Sequence, residues 1–245
     1  MMEKVIEKLR KLRLPSMVEA YKLQASDPNS DLRSFDERFE EIVNSEWETR
    51  YNKKLNKFIK KATLKYPDAD FDESIYEADR LLDTRTIEAL CELTWVTDAR
   101  NILITGSTGA GKTYLANALC ITAIRKFYNV KYMKTSAVIH ELERAELDGT
   151  YIETLKKYSS YDVLAMDDFG LMDLDVDKCR NLFELIDSRE SRKPTITISQ
   201  LPISSWYELF KDSTYADASM DRLIHKAYRI EMNGKNMRNP NNNKS

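Results

Sequence analysis

Apolar positions recur at helical spacing over the first 66 residues, and beyond residue 100 they gather into short runs separated by helical stretches. Val5, Leu9 and Leu12 fall at i, i+4 and i+7 before Pro15 interrupts. Ser34-Phe35-Asp36-Glu37 has the form of a capping box. Behind it, Phe35, Phe39, Ile42, Val43 and Trp47 form a stripe expected to face a core. Residues 1–66 are therefore expected to be helical throughout. Tyr66-Pro67-Asp68-Ala69-Asp70-Phe71-Asp72 is turn-rich and acidic, and marks a domain boundary. Residues 73–95 return to helical spacing, with Leu81, Leu82, Ile87, Leu90 and Leu93 expected to be buried.

From residue 101 strands are predicted at 101–105, 130–134, 162–167, 194–199 and 228–232. Helices are predicted at about 112–127, 137–147, 151–159, 175–189, 204–211 and 217–227. That alternation implies an α/β domain with a five-stranded parallel sheet covered on both faces. The expected organisation is a small all-helical domain (1–66), a helical linker (67–100), the α/β domain (101–235) and an Asn-rich disordered tail (236–245).

Composition narrows the class. The 245 residues are 42% hydrophobic and 32% charged, with a formal net charge of −2, enough apolar material for a core. Cys91, Cys120 and Cys179 are far apart and no C-x-x-C occurs, which argues against a zinc site or a disulfide framework and for a reducing, cytoplasmic setting. The start of the chain reads as a charged amphipathic helix rather than a signal peptide. No apolar run reaches 18 residues, so no membrane contact is expected.

The chemistry begins at Gly106-Ser107-Thr108-Gly109-Ala110-Gly111-Lys112-Thr113, a G-x-x-x-x-G-K-T loop between an apolar strand and a helix. Glycines allow backbone N–H groups to wrap phosphate oxygens, and the helix start adds free donors and positive dipole. Lys112 is expected to reach the β and γ phosphates of ATP, and the Thr113 hydroxyl to ligate Mg²⁺, with Tyr114 beside the nucleotide. Fifty residues on, Val163-Leu164-Ala165-Met166-Asp167-Asp168 is an apolar strand ending in two carboxylates. Ligands gather at the carboxyl ends of strands in such sheets. Asp167 is expected to hold the Mg²⁺ shell through water, and Asp168 to orient or deprotonate the attacking water.

Other positions are less determined by pattern. Thr195-Ile196-Thr197-Ile198-Ser199 ends at Gln200, the first choice for sensing the γ-phosphate or the lytic water, with Ser199 the second. Arg222 is open to two readings: an arginine finger serving a neighbouring subunit, or a helix arginine paired with a nearby carboxylate. Arg238 is either a nucleotide contact or a solvated tail residue. His140 and His225 lack a partner motif and read as packing or surface residues. From Thr49 to Tyr66 the chain carries Arg50, Lys53, Lys54, Lys57, Lys60, Lys61 and Lys65 and no acidic residue, with Tyr51, Phe58 and Tyr66 interleaved. Such a run either follows a phosphate backbone without reading bases or is a solvated helix face.

These residues together resemble the IstB-like helper ATPases of bacterial insertion sequences, within the DnaC/DnaA-like branch of AAA+ proteins. The resemblance rests on Leu12-Arg13-Leu14-Pro15-Ser16-Met17, the helix from Phe35 to Trp47, the phosphate loop, Asp167-Asp168-Phe169-Gly170, Ser199-Gln200-Leu201-Pro202 with Trp206, Asp221-Arg222-Leu223, Tyr228-Arg229-Ile230 and Met237-Arg238. It implies an AAA+ P-loop core and an ATPase that assembles as a homo-oligomer on double-stranded DNA and recruits a transposase. It also implies ATP bound between subunits, with Arg222 completing the neighbour's site, and DNA or partner contact through the helical domain. A DnaC-like replicative helicase loader is the alternative of the same class. A small-molecule phosphotransferase is a third reading, disfavoured by the paired carboxylates and the basic helical domain.

Overall fold

The computed structural model describes residues 2–71 and 84–232. The chain divides into two compact units, 1–57 and 58–245.

The first unit holds α1 (Met2–Lys11), α2 (Pro15–Ser26) and most of α3 (Phe35–Ala62). Helical spacing gives way at three places: the turn at 12–14, the segment 27–34 and, after Ala62, the residues leading to Tyr66. Pro15 opens α2, where its missing N–H costs nothing. The capping box forms as expected. The Ser34 hydroxyl accepts the Glu37 N–H at 3.2 Å, and the Glu37 carboxylate accepts the Ser34 N–H at 2.8 Å. The Ser34 N–H and hydroxyl, both donating to the carboxylate, hold the Glu37 carboxyl below its usual range.

The stripe on α3 does not face a core. Phe35, Phe39, Val43 and Trp47 are 69%, 51%, 40% and 68% exposed, while Ile42 is half-buried. What α3 turns toward α2 is polar. Buried Glu46 accepts the backbone N–H groups of Ser16 (2.8 Å) and Met17 (3.3 Å), and Thr49 accepts the Ser16 hydroxyl at 2.9 Å. Glu46 thus caps α2 from a distance and satisfies two of its orphan donors. Burial pushes its carboxyl up, but bonds from Arg50, Ser16 and Met17 outweigh that and leave it lowered. Periodicity identified a face; it carried no information about what lies against it.

The second unit takes in the end of α3 and the described elements after it. The expected boundary at 66/67 therefore falls later than the division at 57/58. The cause is packing: Phe58 sets its ring edge-on to Phe127, the Thr63 hydroxyl donates to the Tyr132 carbonyl, and the Tyr66 N–H donates to the Asn117 side chain. Phe58 and Tyr66 thus anchor the end of α3 and the residues after it to this unit.

Then follow α4 (Thr84–Cys91), α5 (Thr94–Thr97), β1 (Ile102–Gly106), α6 (Lys112–Arg125), β2 (Val130–Lys134), α7 (Thr135–Leu147), α8 (Tyr151–Ser160), β3 (Val163–Phe169), α9 (Val176–Arg189), β4 (Thr195–Ser199), α10 (Ser213–Ile224) and β5 (Tyr228–Met232). Ile87, Leu90 and Leu93 are buried as expected. Leu81, Leu82, Arg238 and the expected tail lie outside the described residues.

The five strands are parallel, in the order β2-β3-β4-β1-β5. Leu103, Leu164 and Met166 pack with Val138, Leu142, Leu182, Leu185 and Leu223 of α7, α9 and α10 on one face. Alternate positions Ile102, Ile104, Ala165, Ile196 and Ile198 point to the other face, the side of α6. α6 is buried on nearly every side, which its apolar run Leu115–Ile124 permits. At the amino end of the sheet the fully buried Arg189 donates to the carbonyls of Tyr158, Tyr161 and Pro194 and to the Thr195 hydroxyl. Burial lowers its pKa to about 9.

Two predicted helices differ. The 204–211 segment is a pair of short 3₁₀ turns, Ile203–Ser205 and Tyr207–Leu209. Trp206 between them is fully buried, lies tilted against Phe169 with ring centroids 4.6 Å apart, and donates its indole N–H to the Leu201 carbonyl. The last helix starts at 213 rather than 217, because Asp212 accepts the N–H groups of Thr214 and Tyr215 as its cap.

Candidate nucleotide-binding site

β1 delivers the chain at its carboxyl end to the glycine loop. Gly106 has φ +140°, and a Cβ there would lie 2.1 Å from the Met232 carbonyl oxygen of β5, so only glycine fits. Gly109 and Gly111 have φ of +84° and +90°. No Gly111 side chain exists to cap α6, whereas α9 and α10 are capped by Asp175 and Asp212. The first-turn N–H groups of α6 are thus left for an anion, with the helix dipole behind them. Lys112 is buried, and its ammonium donates to the carbonyls of Gly106 and Ser107 at 2.7 Å each.

The strand order explains the rest of the constellation. β4 lies between β1 and β3, so the end of β4 sits between the glycine loop and the carboxylates. Gln200 accepts the Thr108 hydroxyl at 2.7 Å, placing it on the loop. Ser199 is buried and spent elsewhere: it donates to the Phe169 carbonyl and accepts the Leu201 N–H. The Ser199 hydroxyl is thus engaged within the core, whereas Gln200 reaches the loop.

Asp167 is buried, and its Oδ2 accepts the Thr113 hydroxyl at 2.9 Å. The two motifs, 54 residues apart in sequence, meet there. Asp168 follows with φ +58°, at the point where the β3–β4 register shifts. It pairs with Lys134 at 2.8 Å, and that bond raises the lysine's pKa.

Two residues of β2 and the first residue of α7 complete the site, and no sequence motif marks them. Tyr132 donates to Asp167 Oδ2 at 2.5 Å, Lys134 holds Asp168, and the Thr135 hydroxyl donates to the Asp167 carbonyl at 3.0 Å. Tyr132 and Lys134 are two apart on one strand and so share a face. The missing information was that β2 lies beside β3.

Tyr114 sits on the first turn of α6, where its hydroxyl accepts the Asp70 N–H at 3.3 Å and its ring lies 5.9 Å from Tyr66. Arg125 pairs with Asp70 and holds that carboxyl below its ordinary range. Among the described residues no three His, Cys, Asp or Glu side chains converge on a metal position. One hydroxyl and one carboxylate suit Mg²⁺, which takes few protein ligands and completes its shell with water and substrate phosphate. The donor set and the glycine cradle therefore fit ATP with Mg²⁺.

Arg222 is placed elsewhere. Asn101, at the amino end of β1, donates to the Arg222 and Leu223 carbonyls. The length of β1, roughly 16 Å at 3.3 Å per residue, separates that end from the glycine loop. The Arg222 guanidinium bonds Asp187 at 2.7 Å and lies over the Phe183 ring at 4.9 Å. In the helical unit, Arg50 bonds Glu46 and the Arg13 carbonyl. Lys53, Lys54, Lys57, Lys60 and Lys61 are exposed along α3.

The family model described as "IstB-like ATP binding protein" matches residues 7–245. An insertion sequence ATP-binding protein of Sinorhizobium fredii is 35% identical over 230 residues, 94% of this chain and 92% of that protein. The ATP-binding protein of insertion sequence IS1162 from Pseudomonas fluorescens is 37% identical over 205 residues, 84% of this chain and 89% of that protein. Among solved structures, the DnaC helicase loader matches with a TM-score of 0.56 at 20% identity, covering 68% of this chain and 98% of that one. AMPPCP-bound DnaA from Aquifex aeolicus matches with a TM-score of 0.51 at 21% identity, covering 60% and 44%. The core fold is thus of the AAA+ type.

Proposed function

The chain belongs to the IstB-like ATP-binding family, and from that premise we propose that it is a Mg²⁺-dependent ATPase whose copies assemble on double-stranded DNA and recruit a transposase. ATP binding and AAA+ ATPase chemistry come with the family; the assembly, the DNA and the transposase are the proposal. The observation that carries the catalytic part is the Thr113–Asp167 hydrogen bond, which joins the phosphate loop to the carboxylate strand.

In this reading Lys112 turns from the loop carbonyls to the β and γ phosphates. Thr113 and Asp167 would hold Mg²⁺, which when bound would neutralise charge on the phosphate oxygens. Asp168 takes a proton from the attacking water, and Gln200 fixes the water or the γ-phosphate. Arg222 is too far from its own loop to serve it, which supports service to a neighbour's γ-phosphate. ATP then bridges subunits, and assembly multiplies weak phosphate contacts by Lys53, Lys54, Lys57, Lys60 and Lys61 into avidity for a duplex. Arg50, engaged with Glu46, contributes less to such contacts than its place in the run suggested. The insertion-sequence relatives match over nearly their full lengths, whereas the DnaC likeness speaks for the fold alone, so helicase loading is not the reading adopted.

Sedimentation with ATP and duplex DNA tests this. Wild type is expected to form large assemblies with both present. Lys112→Ala is expected to stay small and to bind nucleotide about 10–100-fold more weakly, the value of a lost charged hydrogen bond or two. A wild type that stays monomeric with both ligands, or a variant that assembles normally, contradicts the proposal.

A further inference from the structure

Asp167 sits in an unusually complete set of donors. Its Oδ2 accepts two hydroxyls, from Tyr132 at 2.5 Å and Thr113 at 2.9 Å, and its Oδ1 accepts the Asp168 N–H at 2.8 Å. A carboxylate oxygen offers about two lone-pair sites. Among the described residues, then, Oδ2 is filled and Oδ1 keeps one acceptor site. The group is 5% exposed and Tyr132 is 7% exposed, so bulk water does not compete for these bonds. A phenol is protonated at neutral pH, and its O–H points at the carboxylate as the donor. The ring is fixed by β2, which runs beside β3 with Tyr132 opposite Ala165 and Lys134 opposite Asp167.

We propose that Tyr132 is a positioning and specificity-determining residue for the metal ion: by filling Oδ2 it prevents Asp167 from chelating with both oxygens. This rests on the nucleotide-site reading above. A carboxylate limited to one acceptor site addresses a metal through a bound water or a single oxygen. That suits Mg²⁺, which gives up its waters reluctantly and keeps strict octahedral geometry. It disfavours Ca²⁺, which takes more oxygens and accepts bidentate carboxylates. Thr113 cannot impose this limit alone, because its single proton fills only one of the two sites on Oδ2. Tyr132 thereby selects the ion without touching it, in the way outer partners of metal ligands commonly do.

The test is a titration of Mg²⁺ and, separately, Ca²⁺ into the full chain with a fluorescent ATP analogue, comparing wild type with Tyr132→Phe. Wild type is expected to gain nucleotide affinity with Mg²⁺ and much less with Ca²⁺. In Tyr132→Phe the Mg²⁺-over-Ca²⁺ preference is expected to fall about 10-fold or more, with metal-free nucleotide affinity and melting temperature unchanged. An unchanged preference in a variant that melts like wild type overturns the proposal. If the variant melts lower, 3-fluorotyrosine at position 132 decides. It keeps shape and donor and must retain the preference, and loss of the preference overturns the role given to the hydroxyl. A wild type with no metal-dependent nucleotide binding overturns the nucleotide-site reading and this inference together, whereas metal-dependent binding with an unaltered ratio in Tyr132→Phe overturns the inference alone.

Discussion

Replacing Arg222 with alanine is expected to lower kcat for ATP by about 10³–10⁵-fold, the worth of an arginine finger in transition-state stabilisation. Nucleotide affinity of the isolated subunit is expected to be unchanged. The reasoning is spatial. Arg222 lies at the amino end of the sheet, beside Asn101, while the phosphate loop lies at the carboxyl end beyond Gly106. Within one subunit the guanidinium has no route to phosphate. Its partners there, Asp187 at 2.7 Å and Glu190 at 3.4 Å, are surface carboxylates with side chains 48% and 40% exposed. Exposed pairs of this kind contribute about 0–1 kcal/mol. The guanidinium's position over the Phe183 ring adds about 0.5–1 kcal/mol, so the variant is expected to lose only modest stability, and a catalytic collapse in a protein still folded at the assay temperature identifies a role beyond the helix surface. Lysine at the position is expected to restore little, since it lacks the planar fork that addresses phosphate oxygens in pairs. Steady-state kinetics above the concentration at which the protein assembles, with a thermal melt of the same preparation, is the measurement.

The second large effect is expected at Asp168. Asp168→Asn keeps the side chain's size and removes its basicity, so hydrolysis is expected to fall by about 10²–10⁴-fold with ATP binding intact. The choice of asparagine follows from the backbone. Asp168 has φ +58°, and asparagine tolerates that left-handed conformation better than most residues. The ion pair with Lys134 involves a lysine side chain that is 63% exposed, so breaking it costs little stability. The same pair implies that Asp168 leaves Lys134, or shares it, when it takes up a water. Single-turnover hydrolysis and equilibrium ATP binding, measured on the same variant, separate chemistry from affinity. Normal turnover would move the base to another residue.

Much of the α/β unit was legible in the sequence because its signals are local. An apolar run followed by a glycine loop and a helix can fold in few ways, and β2 and β5 fall at the residues their patterns indicated. Asp167 and Gln200 could be named because strand ends in a parallel sheet converge on one edge. What stayed hidden depends on which strands are neighbours. Tyr132 and Lys134 look like ordinary strand residues until β2 is known to lie against β3. Buried Glu46 looks like one more charge on a helix until the start of α2 is found against it. The apolar stripe of α3 is exposed against expectation for a related reason: the same spacing serves a core, a partner or solvent. The regular helix expected at 204–211 is replaced by two tight turns because the Trp206 indole bonds Leu201 and its ring lies against Phe169.

The account stands on a catalytic site shared between copies of the chain. Mixing Arg222→Ala with Asp168→Asn tests it most directly, because each variant alone lacks one half of the site. At equal concentrations, random pairing across a head-to-tail interface places an intact Arg222 opposite an intact Asp168 in roughly a quarter of the contacts. ATPase activity of the mixture is expected to recover to about that fraction of wild type, with ATP and duplex DNA present. A mixture no more active than its two inactive components, under conditions where both assemble, would contradict a site completed between subunits.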